Sequence, residues 1–131
     1  MNEDLPHIPI SFGELIDKVT ILEIKAKNIS DAKALANVEK ELSALEVFSS
    51  SIISRVPELV QQKHDLYEIN QRLWHIEDAI REKESGGDFG GEFIELARMV
   101  YKTNDQRAAI KRTINQLTGS AFFEEKSYKH Y

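Results

Sequence analysis

Between Phe93 and Leu117, apolar residues recur at steps of three and four: Phe93, Leu96, Val100, Ile110, Ile114 and Leu117. A stripe with this period occupies one face of an α-helix and has to be covered by another element. The stripe is interrupted near its middle by Thr103 and Arg107, which fall in step with the apolar positions. A guanidinium stays charged at any ordinary pH, so placing it in a seam requires an anionic or multiply hydrogen-bonding partner. Whatever packs on this helix must therefore answer Arg107.

Three further segments carry the same period. Ser11 followed by Glu14 has the spacing of a capping box and opens a first helix with the seam Phe12, Leu15, Val19, Leu22, Ala26 and Ile29. Ile21 and Ile24 point away from that seam, which predicts contacts on two sides. Ser30 or Asp31 caps a second helix from Ala32 to Ser54, through Leu35, Val38, Leu42, Leu45 and Phe48. After Pro57, Leu59, Leu66, Leu73 and Ile80 repeat every seven residues in a coiled-coil-like register. Ser85-Gly86-Gly87 ends that helix, and the glycines through Gly91 make a hairpin loop. Gly119 supplies the left-handed cap of the fourth helix.

Short connections force neighbouring helices to be antiparallel, so the expected fold is an all-α, up-down-up-down four-helix bundle. One domain spans residues 1–131, with an extended segment at 1–10 around Pro6 and Pro9 and a short tail at 120–131. The third and fourth helices, at about 26–28 residues or roughly 40 Å, outreach the first by about ten residues. Their overhang leaves apolar surface that a second copy can cover, so a homodimer is expected.

Composition narrows the function classes. The absence of cysteine removes disulfides, thiolate catalysis and cysteine-ligated metals. No apolar run reaches the ~18–20 residues of a membrane span, and Met-Asn-Glu-Asp-Leu-Pro lacks the pattern of a secretory leader. Cytoplasmic residence without membrane contact is the expectation. The net charge is −5, yet residues 92–131 carry seven Lys/Arg against five Asp/Glu. Five bases and only Asp105 as an acid lie between Arg98 and Arg112. One basic helix is too small a face for nucleic acid, so none is expected; the simpler meaning is attraction between parts of the fold.

Folding the hairpin about residue 88 sets Arg107 level with Asn70, with Asp17 of the first helix at a similar height. Glu23 and Glu77 fall about two turns nearer the hairpin. Two readings follow. In the first, Arg107, Asn70, Thr103, Asn104 and an acid form an internal polar layer that fixes register. In the second, Arg107, Lys111, Asn104, Asn70 and Asn115 receive a phosphate or carboxylate of a nucleotide or sugar phosphate, with Asp17, Glu23 or Glu77 as acidic partners. The first is the stronger expectation, that of a small interaction or assembly module.

Other constellations are weaker. Glu14-x-x-Asp17, Glu92-x-x-Glu95 and Glu77-Asp78 have the oxygen chemistry for Mg²⁺, but Glu14 belongs to a cap and Glu92 and Glu95 open a helix. His7, His64, His75 and His130 show no metal spacing, and Gly86–Gly91 is not a phosphate loop. Neither a metal nor another cofactor is expected. Tyr67 and Trp74 belong to a packing flank.

In the tail, Phe122-Phe123-Glu124-Glu125-Lys126-Ser127-Tyr128 places two adjacent phenylalanines among charges, which predicts docking onto its own bundle or a partner. Several segments are also distinctive as wording: Ile10–Lys18, Ile21–Lys25, Trp74–Arg81, Phe93–Arg98, Tyr101–Asp105, Ala109–Arg112 and Glu124–Tyr128. Together they resemble an uncharacterised family of small helical bacterial and phage-associated proteins. The resemblance supplies no catalytic residues, and it implies that the tail is part of the domain.

Overall fold

A computed structural model describes residues 4–131; the first three residues of the expected extended segment lie outside it. Four helices follow in order: α1 (Phe12–Asn28), α2 (Ala32–Arg55), α3 (Leu59–Ser85) and α4 (Gly91–Thr118). The described residues contain no strand, and the fold is an all-α bundle. Each boundary has a local cause. The Ser11 hydroxyl accepts the Glu14 N–H at 3.1 Å, and the Asp31 carboxylate accepts the Ala34 N–H at 2.9 Å. Gly87 and Gly119 both take positive φ, the latter as the left-handed cap of α4.

α1 is the hub, packing on all three other helices, whereas α2 has its main partner in α1. Its helical wheel explains why: Leu15, Ile16, Val19, Leu22 and Ile24 are all buried, too wide a distribution for one contact face. The deepest cluster joins Ile16 to Ile52 of α2, Leu59 and Leu66 of α3 and Ile114 of α4. Burying each such side chain contributes about 1.5–3 kcal/mol. α1 lies aslant the α3–α4 hairpin. From Gly13 to Glu23 its polar partners move from Asn115 to Arg107 along α4, but from Asn70 to Lys63 along α3. Those two helices run in opposite directions, so α1 crosses them and covers only their open end. Between Glu77 and Lys102 no residue is buried, and this half of the hairpin stands out as a two-helix arm.

Two seam assignments need correction. Phe48, a seam position of α2, is 62% exposed, and Ser49 is buried in its place, because α2 packs mainly on α1. On α4, Leu117 is 40% exposed, while Lys111 and Asn115 are buried. Thr103, Lys111 and Asn115 are buried along one edge there, with Arg107 half-buried between them, a step of four residues.

Candidate functional site

Several buried polar groups, Thr20, Asn70 and Lys111, converge on Asp17. Its carboxylate is 1% exposed, on the face of α1 that meets both α3 and α4. An isolated carboxylate there would be very costly, so its donors determine whether the fold is tolerable. Arg107 Nε donates to Asp17 Oδ1 at 3.0 Å, and the Arg107 Nη2 donates to Oδ2 in a close ion pair. That two-pronged geometry suits a guanidinium and a carboxylate. Asn70 Nδ2 donates to Asp17 Oδ1 and to Thr20 Oγ1, both at 2.9 Å, and the Thr20 hydroxyl donates to the Asp17 backbone carbonyl at 2.8 Å.

Lys111 completes the layer from one turn further along α4. Its ammonium lies 2.9 Å from Glu14, 3.3 Å from Glu124 and 3.6 Å from Asp17. Burial works to lower the Lys111 pKa, but the Glu14 hydrogen bond and the charges of Asp17, Glu14 and Glu124 outweigh it, so it is raised. The Arg107 pKa is raised as well, chiefly by its bonds to Asp17. Both cations are held charged by carboxylates of the same chain.

Of the residues singled out in the sequence, Arg107, Asp17, Asn70 and Lys111 come together, and Asn104 joins at the rim, accepting from Arg107 Nη1 at 3.4 Å. Asn115 stands apart. Its Oδ1 accepts the Gly13 N–H at 2.7 Å, while Ser120 Oγ accepts the Phe12 N–H at 3.2 Å. With Ser11 on Glu14 N–H, the open donors at the start of α1 are answered by side chains. Glu23 is elsewhere too. It pairs with Lys63 at 3.5 Å, further from the hairpin loop than Asn70, because α1 slants away from that loop along α3. Glu77 forms an exposed pair with Arg81 on the arm.

Sequence reasoning missed Glu14 and Glu124. The capping-box spacing assigned the Glu14 side chain to its own helix, but its carboxylate instead meets Lys111. Glu124 arrives because the tail doubles back along α4. Glu125 meets Arg112, Phe123 lies under the Arg112 guanidinium, and the Tyr131 ring meets Tyr101 edge-on. Two adjacent acids, Glu124 and Glu125, in a tail that follows a basic helix were the available signal.

What remains open to solvent at this layer is a small cleft of about 150 Å³ between Glu14, Asn104, Arg107, Lys111 and Lys126. Pockets for nucleotide-sized ligands run to roughly 300–1,000 Å³. Among the described residues no group of three or more His, Asp or Glu is arranged to hold a metal ion.

A family model for a family of unknown function (DUF6165) matches residues 7–131. The chain belongs to this family. The match runs through the tail, as the resemblance implied, and includes every residue of the Asp17 layer. No curated protein and no solved structure matches the chain.

Proposed function

We propose that the protein is a small cytoplasmic interaction and assembly module, and that the Asp17 layer is a structural lock between α1 and the α3–α4 hairpin. One observation carries this reading: the two cations of the layer are already answered by carboxylates of the chain, two of which come from α1. An incoming phosphate would have to displace Asp17, Glu14 or Glu124, and the cleft is about half the smallest usual ligand pocket. The apolar surface available to a partner lies elsewhere. A groove of about 730 Å³ runs between Ile8, Ile10, Phe12 and Phe48, and Phe89, Ile94 and Met99 are exposed on the arm. A homodimer fits this distribution.

The competing reading, a binding protein or enzyme for a phosphorylated small molecule at Arg107, Lys111 and Asn104, draws support from the part of Arg107 that faces the cleft. Thermal shift separates the two. With phosphate, nucleotides, sugar phosphates and Mg²⁺ in turn, the lock reading expects no stabilisation. A ligand at a hundred times its dissociation constant would add about 2.7 kcal/mol. A rise of that size in the wild type, absent from Arg107→Met, would overturn the lock.

A further inference from the structure

The basic stretch of α4 is overlaid by the chain's own tail. Between Arg98 and Arg112 this helix carries five bases and Asp105 as its one acid. The chain reverses over it after Gly119, which takes the positive φ that the turn requires. Phe123 and Glu125, two residues apart, both reach Arg112. The guanidinium carbon lies 5.3 Å from the centre of the Phe123 ring, and Nη1 lies 3.4 Å from Glu125 Oε1. Glu124 between them turns the other way, to the Lys111 ammonium at 3.3 Å. Alternation of this kind belongs to an extended segment. The Tyr131 ring then meets Tyr101, about 16 Å back along α4 from Arg112.

Side-chain ends alone make this hold. Ser120 is fixed, since its hydroxyl accepts the Phe12 N–H and its N–H donates to the Asn115 carbonyl. Beyond it no tail residue is buried, and among the described residues no backbone hydrogen bond ties 121–131 to the bundle. Ion pairs at exposed positions are individually weak and screened by salt. Lys111 keeps Glu14 and Asp17 when the tail lifts, whereas Arg112 gives up both Phe123 and Glu125. The tail is therefore displaceable without disturbing the lock, and its own chemistry defines what can take its place.

We propose that this face of α4 recognises an acidic segment of a partner protein, an aromatic residue followed by two carboxylates, and that the tail is its built-in occupant, displaced when the partner binds. Arg112 is the anchor, taking the aromatic ring and one carboxylate, and Lys111 takes the other carboxylate. A short tether gives the tail an effective concentration in the millimolar range, so the partner has to add contacts of its own to win the exchange. This face gives the interaction-module reading, on which the proposal rests, a partner of stated chemistry.

The test uses the full chain with its tail neutralised in place by Phe123→Ser, Glu124→Gln and Glu125→Gln, and a synthetic peptide of residues 120–131 as the probe. Nitrogen–proton correlation spectra follow residues 101–112. In the neutralised variant the peptide should bind with a dissociation constant of about 1 mM or tighter and return these resonances towards their wild-type positions. The wild type, whose tail competes, should need at least about tenfold more peptide. Adding Arg112→Gln to the neutralised variant should abolish the response with helicity unchanged. A peptide with Gln at both acidic positions should bind at least about tenfold more weakly. No saturable shift in the neutralised variant overturns the proposal, as does an equal response from the wild type. An equal response to an oligothymidylate of the same length would mark a general polyanion seat and overturn it too. A wild type that doubles its mass with concentration, and stays monomeric as Arg112→Gln, would assign the face to the tail of a second copy and overturn the separate partner. Arg112 takes no part in the Asp17 layer, so failure here is distinct from failure of the lock, which the ligand titrations at Arg107 test.

Discussion

Removing Arg107 while keeping Asp17 probes the lock at its two-pronged contact. In Arg107→Met the methionine fills much of the volume, but Asp17, 1% exposed, loses the Nε bond at 3.0 Å and its close ion pair. Asn70 and the Lys111 ammonium at 3.6 Å remain. Leaving one partner of a buried pair unanswered costs about 3–5 kcal/mol, and residual compensation by Lys111 puts the expectation at the lower end, about 3 kcal/mol. Asp17→Leu should cost at least as much, since it strands Arg107 and weakens Lys111 together. The double replacement removes both charges and leaves Lys111 on Glu14, so it should cost less than the sum, with a coupling of about 1–3 kcal/mol. Urea denaturation followed by circular dichroism measures all four proteins, with unchanged m-values as the check that only stability moved. A cost below about 1 kcal/mol for Arg107→Met would place the pair among ordinary surface salt bridges and refute the lock.

Three further outcomes follow from the same geometry. Gly13→Ala, stabilising in most helices by up to about 1 kcal/mol, should here destabilise by about 1–3 kcal/mol, because its Cβ would lie 2.5 Å from the Lys111 carbonyl and 2.7 Å from Asn115 Oδ1; thermal melts give the sign. Lys111 has a raised pKa in the fold, so its contribution is complete below its ordinary value of 10.5 and is lost as pH climbs through the higher folded value. The stability advantage of the wild type over Lys111→Met should therefore hold from neutral pH to about 10 and shrink beyond it, as read by melts against pH. Glu124→Gln, at a half-exposed tail position, should cost less than about 1 kcal/mol and leave the α1 contacts in place, which hydrogen exchange at Gly13 and Phe12 would report.

The helices were legible because they rest on period and punctuation. Ser11, Asp31 and Gly119 act where local hydrogen-bonding chemistry places them, and the α3 heptad and the outreach of α3 and α4 are visible as spacing. The Arg107 interruption was legible for the same reason, and folding the hairpin brought it to Asn70 and Asp17. The slant of α1 was not legible. Seams specify which face is covered but not the angle of the covering helix, and that angle buries Lys111 and Asn115 and carries Glu23 to Lys63. Glu14 was misassigned because a capping box and a tertiary ion pair ask for the same residue at the same spacing. The Glu124 contact depends on a chain reversal after Gly119 that no periodicity encodes.

The most direct measurement of the lock is the Arg107 Nε–H resonance of the free protein, observed by nitrogen–proton correlation and assigned with Arg107→Met. A guanidinium held on a buried carboxylate should give a sharp signal, slow to exchange with water and unmoved by phosphate or nucleotide. A signal broadened by exchange in the free protein, which sharpens and shifts in a saturable way as phosphate is added, would show that Arg107 serves a ligand and not Asp17.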